Sequence, residues 1–88
     1  MIDTAVYTAH NDPGHGWLEV PASLVTALDV HPSEYSYRSR DGGTLYLEED
    51  CDAPTFIRAY EVKYGTVHVV DMYHNRDCFV RSLPRVTQ

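Results

Sequence analysis

Every apolar run in this chain is short, and turn-forming residues close each one. "NDPGHG" (11–16) packs Asn, Asp, Pro and two Gly into six positions, and "RDGG" (40–43) separates two runs that alternate apolar with polar residues. Such punctuation rules out long helices there and demands tight reversals; Asp-Gly between alternating runs is a strong hairpin signal. "DTAVYTAH" (3–10) and "WLEV" (17–20) flank the first reversal and read as strands, as do "EYSYRS" (34–39) and "TLYLEE" (44–49) around the second. "TVHVVDMYH" (66–74) and "DCFVRSL" (77–83) read as a third hairpin across Asn75 and Arg76, stopped by Pro84, with 85–88 expected to fray.

Two helical segments separate the hairpins. Pro21 suits the first turn of "PASLVTALDV", whose Leu24, Val25 and Leu28 would be buried, and His31 before Pro32 ends it. A competing reading makes 22–30 a short irregular turn, because Val20 is a poor N-cap. Over 53–64, Phe56, Tyr60 and Tyr64 recur at helical spacing beside Ile57, and Gly65 is a fitting stop. The order ββ-α-ββ-α-ββ predicts an α+β fold: a small antiparallel or mixed sheet of β-hairpins with two helices on one face. No linker or repeat interrupts it, so 1–88 reads as a single domain. At 88 residues and 43% hydrophobic, the domain buries roughly 60% of its unfolded surface and has a modest core.

Charge narrows the function classes. Thirteen acids against seven bases give −6. Sequence-independent nucleic-acid binding runs on Lys and Arg, so direct nucleic-acid binding is not expected, whereas a basic protein surface is a suitable partner. No apolar run approaches the ~20 residues of a membrane span, and "MIDTAVYTAH" lacks the pattern of a signal peptide. The expectation is a cytoplasmic protein in which Cys51 and Cys78 are reduced thiols.

The acids crowd into one place. In "TLYLEEDCDAPTF" (44–56), Glu48, Glu49, Asp50 and Asp52 surround Cys51 where a strand hands over to a helix. Three explanations compete: a helix cap, a metal site, and a negative surface for a partner. Asp52 sits where an N-cap belongs, and Asp50 and Glu49 suit the positive end of the helix, which accounts for part of the cluster. A Ca²⁺ loop would need a Gly and a later Glu that are missing.

The strings "GHGWLEVP" (14–21), "YSYR" (35–38) and "TLYLEEDCDAPTF" (44–56) resemble a group of small proteins of bacteria and their mobile elements, which carry a G-W-L-x-V-P start, a Y-S-Y strand and a Y-L-E-E-D-C-D-A turn. The resemblance covers about 14–64. The C-terminal end matches more loosely, with "CFVRSL" where members carry an Arg-rich "RIRSY"-like end. The group has no assigned activity and carries over no catalytic residue. It implies a context of phage and plasmid accessory proteins, in which anti-defence proteins such as anti-CRISPR and anti-restriction inhibitors are common.

Other residues offer rival chemistry. His10, His15, His74 and Cys78 would form a metal constellation if the first and last hairpins pair, but no C-x-x-C or H-E-x-x-H spacing supports one, and no metal or other cofactor is expected. Cys51 at a helix N-terminus would be an activated nucleophile were it not wrapped in carboxylates, which disfavour a thiolate. Tyr35 and Tyr37 share one strand face, with Tyr46 opposite; they form either the sheet's core face or an exposed cluster rimmed by Glu34, Asp41 and Glu48.

The reading is therefore a protein-binding module without enzymatic activity. Its partner surface comprises Glu34, Tyr35, Tyr37, Asp41, Tyr46, Glu48, Glu49 and Asp50. In the sharper version it is an inhibitor that covers the basic, nucleic-acid-binding surface of a host defence protein. The alternatives are a small metal-dependent or thiol enzyme using His10, His15, His74 and Cys51 or Cys78, and a structural subunit that self-associates through sheet edges.

Overall fold

The computed structural model describes residues 5–88. Positions 3 and 4 of the expected first strand lie outside them. The fold is α+β, with a mixed five-stranded sheet and two helices. Strand β1 (Ala5–Asn11) turns back into β2 (Gly16–Pro21), followed by α1 (Ala22–Ala27), β3 (Tyr37–Arg38), β4 (Thr44–Glu48), α2 (Asp52–Lys63), β5 (Val67–Tyr73) and a 3-10 turn at Phe79–Ser82. The sheet order is β3-β4-β2-β1-β5. All neighbours are antiparallel except β1 and β5, which run parallel with Ala5 opposite Val67 and Asn11 opposite Tyr73.

Alternation along the strands sorts side chains onto two faces. The helical face carries Leu18, Val20, Leu45 and Leu47, which pack with Val25 of α1 and Ala53 and Phe56 of α2. Tyr7 of β1 points the same way and meets Phe56 and Tyr60 edge-on, with ring centroids 5.8 and 6.0 Å away. Packing continues through Ala59 and Tyr60, and only the last turn of α2 lifts away; Val62 there is 85% exposed. The opposite face carries Trp17, Tyr37 and Tyr46, which cluster with Cys78 and Val80.

That second cluster corrects the expected third hairpin. Residues 77–83 form no strand. They cross the back of the sheet, placing Cys78, Val80 and Leu83 over Trp17, Tyr37 and Tyr46. The apolar alternation is real, but it answers to the uncovered aromatic face of β2 and β4 and not to a strand partner. β5 instead pairs with the free edge of β1. The tail is anchored as well: Arg38 N–H donates to the Pro84 carbonyl and Val86 N–H to that of Ser36, and a bridge joins Tyr37 to Arg85. The expected fraying at 85–88 is thus replaced by pairing beside β3.

The first helix is shorter than expected. Asp29 adopts φ 57° just past Leu28, and the Val30 N–H closes onto the Val25 carbonyl, so the helix stops before His31-Pro32 is reached. The strand expected at 34–39 shrinks to two residues because Ser33 and Ser36 are engaged elsewhere, as described below.

Candidate functional site

Two buried carboxylates organise the surface on which the expected site residues lie. The first is Asp12, in the turn between β1 and β2. Its Oδ1 accepts from the backbone N–H groups of Gly14 and His15, each at 3.0 Å, and its Oδ2 from the Cys78 N–H at 2.9 Å. Arg81 adds a two-pronged ion pair, Nε to Oδ2 at 2.6 Å and Nη2 to Oδ1 at 2.8 Å. The guanidinium, aided by the three N–H donors, holds the Asp12 carboxyl far below the usual carboxylate range despite its burial. One residue thus closes the first turn and latches the C-terminal segment across the sheet. The Arg81 guanidinium also lies over the Trp17 ring, 5.1 Å from its centroid.

The second is Asp52. It does not cap α2. Being the first helical residue, it turns its buried carboxylate toward the 33–36 loop and accepts from Ser33 N–H (2.9 Å), Ser33 Oγ (2.7 Å) and Ser36 Oγ (2.5 Å). Ser36 Oγ in turn accepts from the Glu48 N–H. These bonds hold the loop in a turn and leave β3 its two residues.

Glu48 closes the turn between β4 and α2, and the Cys51 N-cap makes no side-chain cap bond. Its carboxylate oxygens accept from the Asp50 N–H at 3.0 and 2.9 Å and from the Cys51 N–H at 3.2 Å. It also accepts the Cys51 thiol, at 3.3 Å. That contact, reinforced by local desolvation and the nearby Asp52 charge, pushes the thiol above its ordinary value and disfavours the thiolate. Glu49 and Asp50 are exposed.

The expected partner residues therefore divide. Glu34, Tyr35, Asp41, Glu49 and Asp50 are exposed, and Glu48 is half-buried. Tyr37 and Tyr46 are buried beneath the C-terminal segment, which corrects the exposed tyrosine cluster: they form a core face, and of the three only Tyr35, in the 33–36 loop, is exposed. Asp41 is far from the others in function, since it is consumed by the β3–β4 turn, accepting from Ser39 Oγ and Gly43 N–H.

A cleft of about 330 Å³ gathers what remains. Tyr35, Tyr37 and Trp17 supply its aromatic walls, Glu48 and Asp50 an acidic side, and His15 and Cys51 further polar groups. Arg81 and Arg85 line it too, but Arg81 is held by Asp12, and Arg85 lies over the Tyr37 ring (4.4 Å) and donates to the Glu34 carbonyl. Beside the cleft, ligand atoms of His15, Glu48 and Glu49 lie within 4.8 Å of one another. His10, His74 and Cys78 meet elsewhere, on the back of the sheet near β5, so the four-residue constellation considered from the sequence loses His15.

Nothing in the sequence singles out Asp12, Trp17, Glu19 or Arg85, and Arg81, a candidate internal partner for the acids of the 48–50 turn, pairs with Asp12 instead. Asp12 reads there as ordinary turn chemistry; nothing local reveals that its partner is 69 residues away. No protein family, curated protein or solved structure matches the chain. Among the described residues no helix is long and apolar enough to cross a membrane.

Proposed function

We propose that this protein is a binding module for a basic protein surface, and that the cleft between the 33–36 loop and the β4–α2 turn receives a Lys or Arg side chain of the partner. The observation that carries this reading is the convergence of Tyr35, Trp17, Glu48 and Asp50 on one cleft, with Glu49 and Glu34 exposed nearby. The exposed Tyr35 ring and the neighbouring carboxylates together suit a guanidinium or ammonium group. A net charge of −6 favours encounter with a basic surface. In its finer form the partner surface is one that otherwise holds nucleic-acid phosphates, as in a host defence complex. The mobile-element resemblance of 14–64 motivates that form.

The test compares the parent with the Glu49→Gln/Asp50→Asn variant and with Tyr35→Ala in capture of host proteins at two salt concentrations, followed by binding kinetics with the captured protein. A basic partner, slower association and a flatter salt dependence for the charge variant, and faster dissociation for Tyr35→Ala are expected. Identical kinetics for all three proteins would exclude this surface.

One observation favours a second reading, self-association. Among the described residues β5 is an edge strand of seven residues with no strand on its outer side, and Val69, Val70, Met72 and Tyr73 on it are all exposed. Such edges pair readily with another chain. Analytical ultracentrifugation of the parent and of Val70→Lys decides: a dimer abolished by the lysine supports pairing through β5, and a parent that is monomeric at high concentration refutes it.

A further inference from the structure

On the back of the sheet, β1 and the distant stretch from His74 to Cys78 bring a buried imidazole, a half-buried imidazole and a buried thiol together. His10 comes from β1 and is 6% exposed; Cys78 opens the crossing segment and is 2% exposed. His74 follows β5, fixed where its backbone N–H donates to the Asn11 carbonyl at 2.7 Å. The Cys78 backbone is fixed by Asp12. One ligand atom from each of the three residues lies within 4.8 Å of the other two.

The orientation of His10 is what gives the cluster a chemical sense. Its Nε2 lies 2.7 Å from Glu19 Oε1 on the neighbouring strand. A carboxylate accepts only, so in neutral His10 the proton sits on Nε2 and the lone pair sits on Nδ1. That Nδ1 faces His74 Nε2 at 3.4 Å. Such a separation is long for a hydrogen bond between ring nitrogens, whose usual range is about 2.7–3.2 Å. It matches another geometry closely. Two nitrogens each about 2.05 Å from a tetrahedral metal stand about 3.35 Å apart. A carboxylate on the far nitrogen of a ligating histidine is also the usual outer support of a metal site. The Phe79 ring stands edge-on to His10, with centroids 5.2 Å apart, and gives the cluster an apolar neighbour.

We propose that His10 Nδ1, His74 Nε2 and Cys78 Sγ form a binding site for Zn²⁺, with Glu19 as the positioning residue for His10. Two imidazoles and a thiolate suit a late first-row cation and not Ca²⁺ or Mg²⁺, which require oxygen ligands. Three protein ligands leave a fourth position for water or an external donor. The site joins β1, the end of β5 and the crossing segment, so occupancy stabilises the arrangement that covers Trp17, Tyr37 and Tyr46. It is independent of the cleft, and its failure leaves the binding reading untouched.

The experiment titrates metal-free, untagged parent protein with Zn²⁺ against a chromophoric chelator and with Co²⁺ as a spectroscopic substitute. Expected are one Zn²⁺ per chain with Kd below about 1 μM, a thiolate-to-Co²⁺ charge-transfer band, and a melting temperature raised by Zn²⁺ and returned by EDTA. Cys78→Ser should abolish the band and Cys51→Ser should leave it unchanged. Glu19→Gln should weaken Zn²⁺ binding by about 10–100-fold while keeping the band. His74→Gln, at the least buried ligand, should weaken it further while the far-ultraviolet circular dichroism stays that of the parent. The proposal is overturned if the parent shows no charge-transfer band, if its Kd is weaker than this limit, or if binding survives in His74→Gln and is lost instead in a Glu48→Gln/Glu49→Gln variant.

Discussion

Replacing Asp12 with Asn exchanges one carboxylate oxygen for an NH₂ group and removes the charge while keeping the shape. The five donors on Asp12 are split, three on Oδ1 (Gly14 N, His15 N, Arg81 Nη2) and two on Oδ2 (Cys78 N, Arg81 Nε). Whichever way the amide turns, its NH₂ faces at least two donors and can accept from neither. Removing one partner of a buried ion pair costs roughly 3–5 kcal/mol. The Arg81 side chain is 32% exposed and finds some water in compensation, which lowers the expectation to about 2–4 kcal/mol. Against the ~4–13 kcal/mol total typical of a chain this size, that is a large fraction, and it corresponds to a melting temperature lower by roughly 10–25 °C. Urea unfolding in EDTA, followed by Trp17 fluorescence and far-ultraviolet circular dichroism, measures the loss; Trp17 is the chain's single tryptophan and touches Arg81. A double-mutant cycle with Arg81→Met should return a coupling of at least about 1.5 kcal/mol. A midpoint within about 0.5 kcal/mol of the parent, or additive losses, would refute the latch.

Asp52→Ala should destabilise by about 1–3 kcal/mol, because it orphans the Ser33 and Ser36 donors; in Ser36→Ala the same change should cost less, and additive losses would show that the two residues do not act together. Cys51 should alkylate slowly near neutral pH and show its half-maximal rate above the ordinary thiol value, since the Glu48 carboxylate raises it. In Glu48→Gln the rate–pH profile should move to lower pH, and an unmoved profile, read by intact mass, would remove Glu48 as the cause. Glu49→Gln/Asp50→Asn should unfold within about 0.5 kcal/mol of the parent, because both side chains are exposed; a larger loss would make them structural.

Local chemistry made much of the fold legible. The reversals at 11–16 and 40–43, the helix over 53–64 ended by Gly65, and the α+β class all follow from turn residues and apolar period. What stayed hidden depends on partners far along the chain. "CFVRSL" has the alternation of a strand, and only the aromatic face of Trp17 and Tyr46 explains why it crosses the sheet instead of joining it. β5 was expected to pair with 77–83, but its seven residues match β1 in register, and parallel pairing leaves no local turn signal. Asp52 matters for a different reason from the expected cap: its carboxylate serves Ser33 and Ser36, while Glu48 closes the turn ahead of α2. Of the candidate site, the acidic turn and Tyr35 were legible, whereas the cleft depends on Trp17 and Arg81, which two separate clusters bring to it.

The parallel pairing of β1 with β5 has a consequence for how the chain comes to be folded. Ala5 faces Val67, a separation of 67 − 5 = 62 residues, and the Asp12–Arg81 latch spans 69. Contacts of such range are entropically expensive to close and slow the final step of folding. The β2–β4 pair and α2 depend on nearer neighbours and can organise first. During synthesis the outer edge of β1 and the aromatic back of the sheet have no native cover until β5 and the crossing segment have emerged. The nascent protein exposes Trp17, Tyr37 and Tyr46 until then, and this interval is when a chaperone, or the β5 edge of a second copy, has its opportunity.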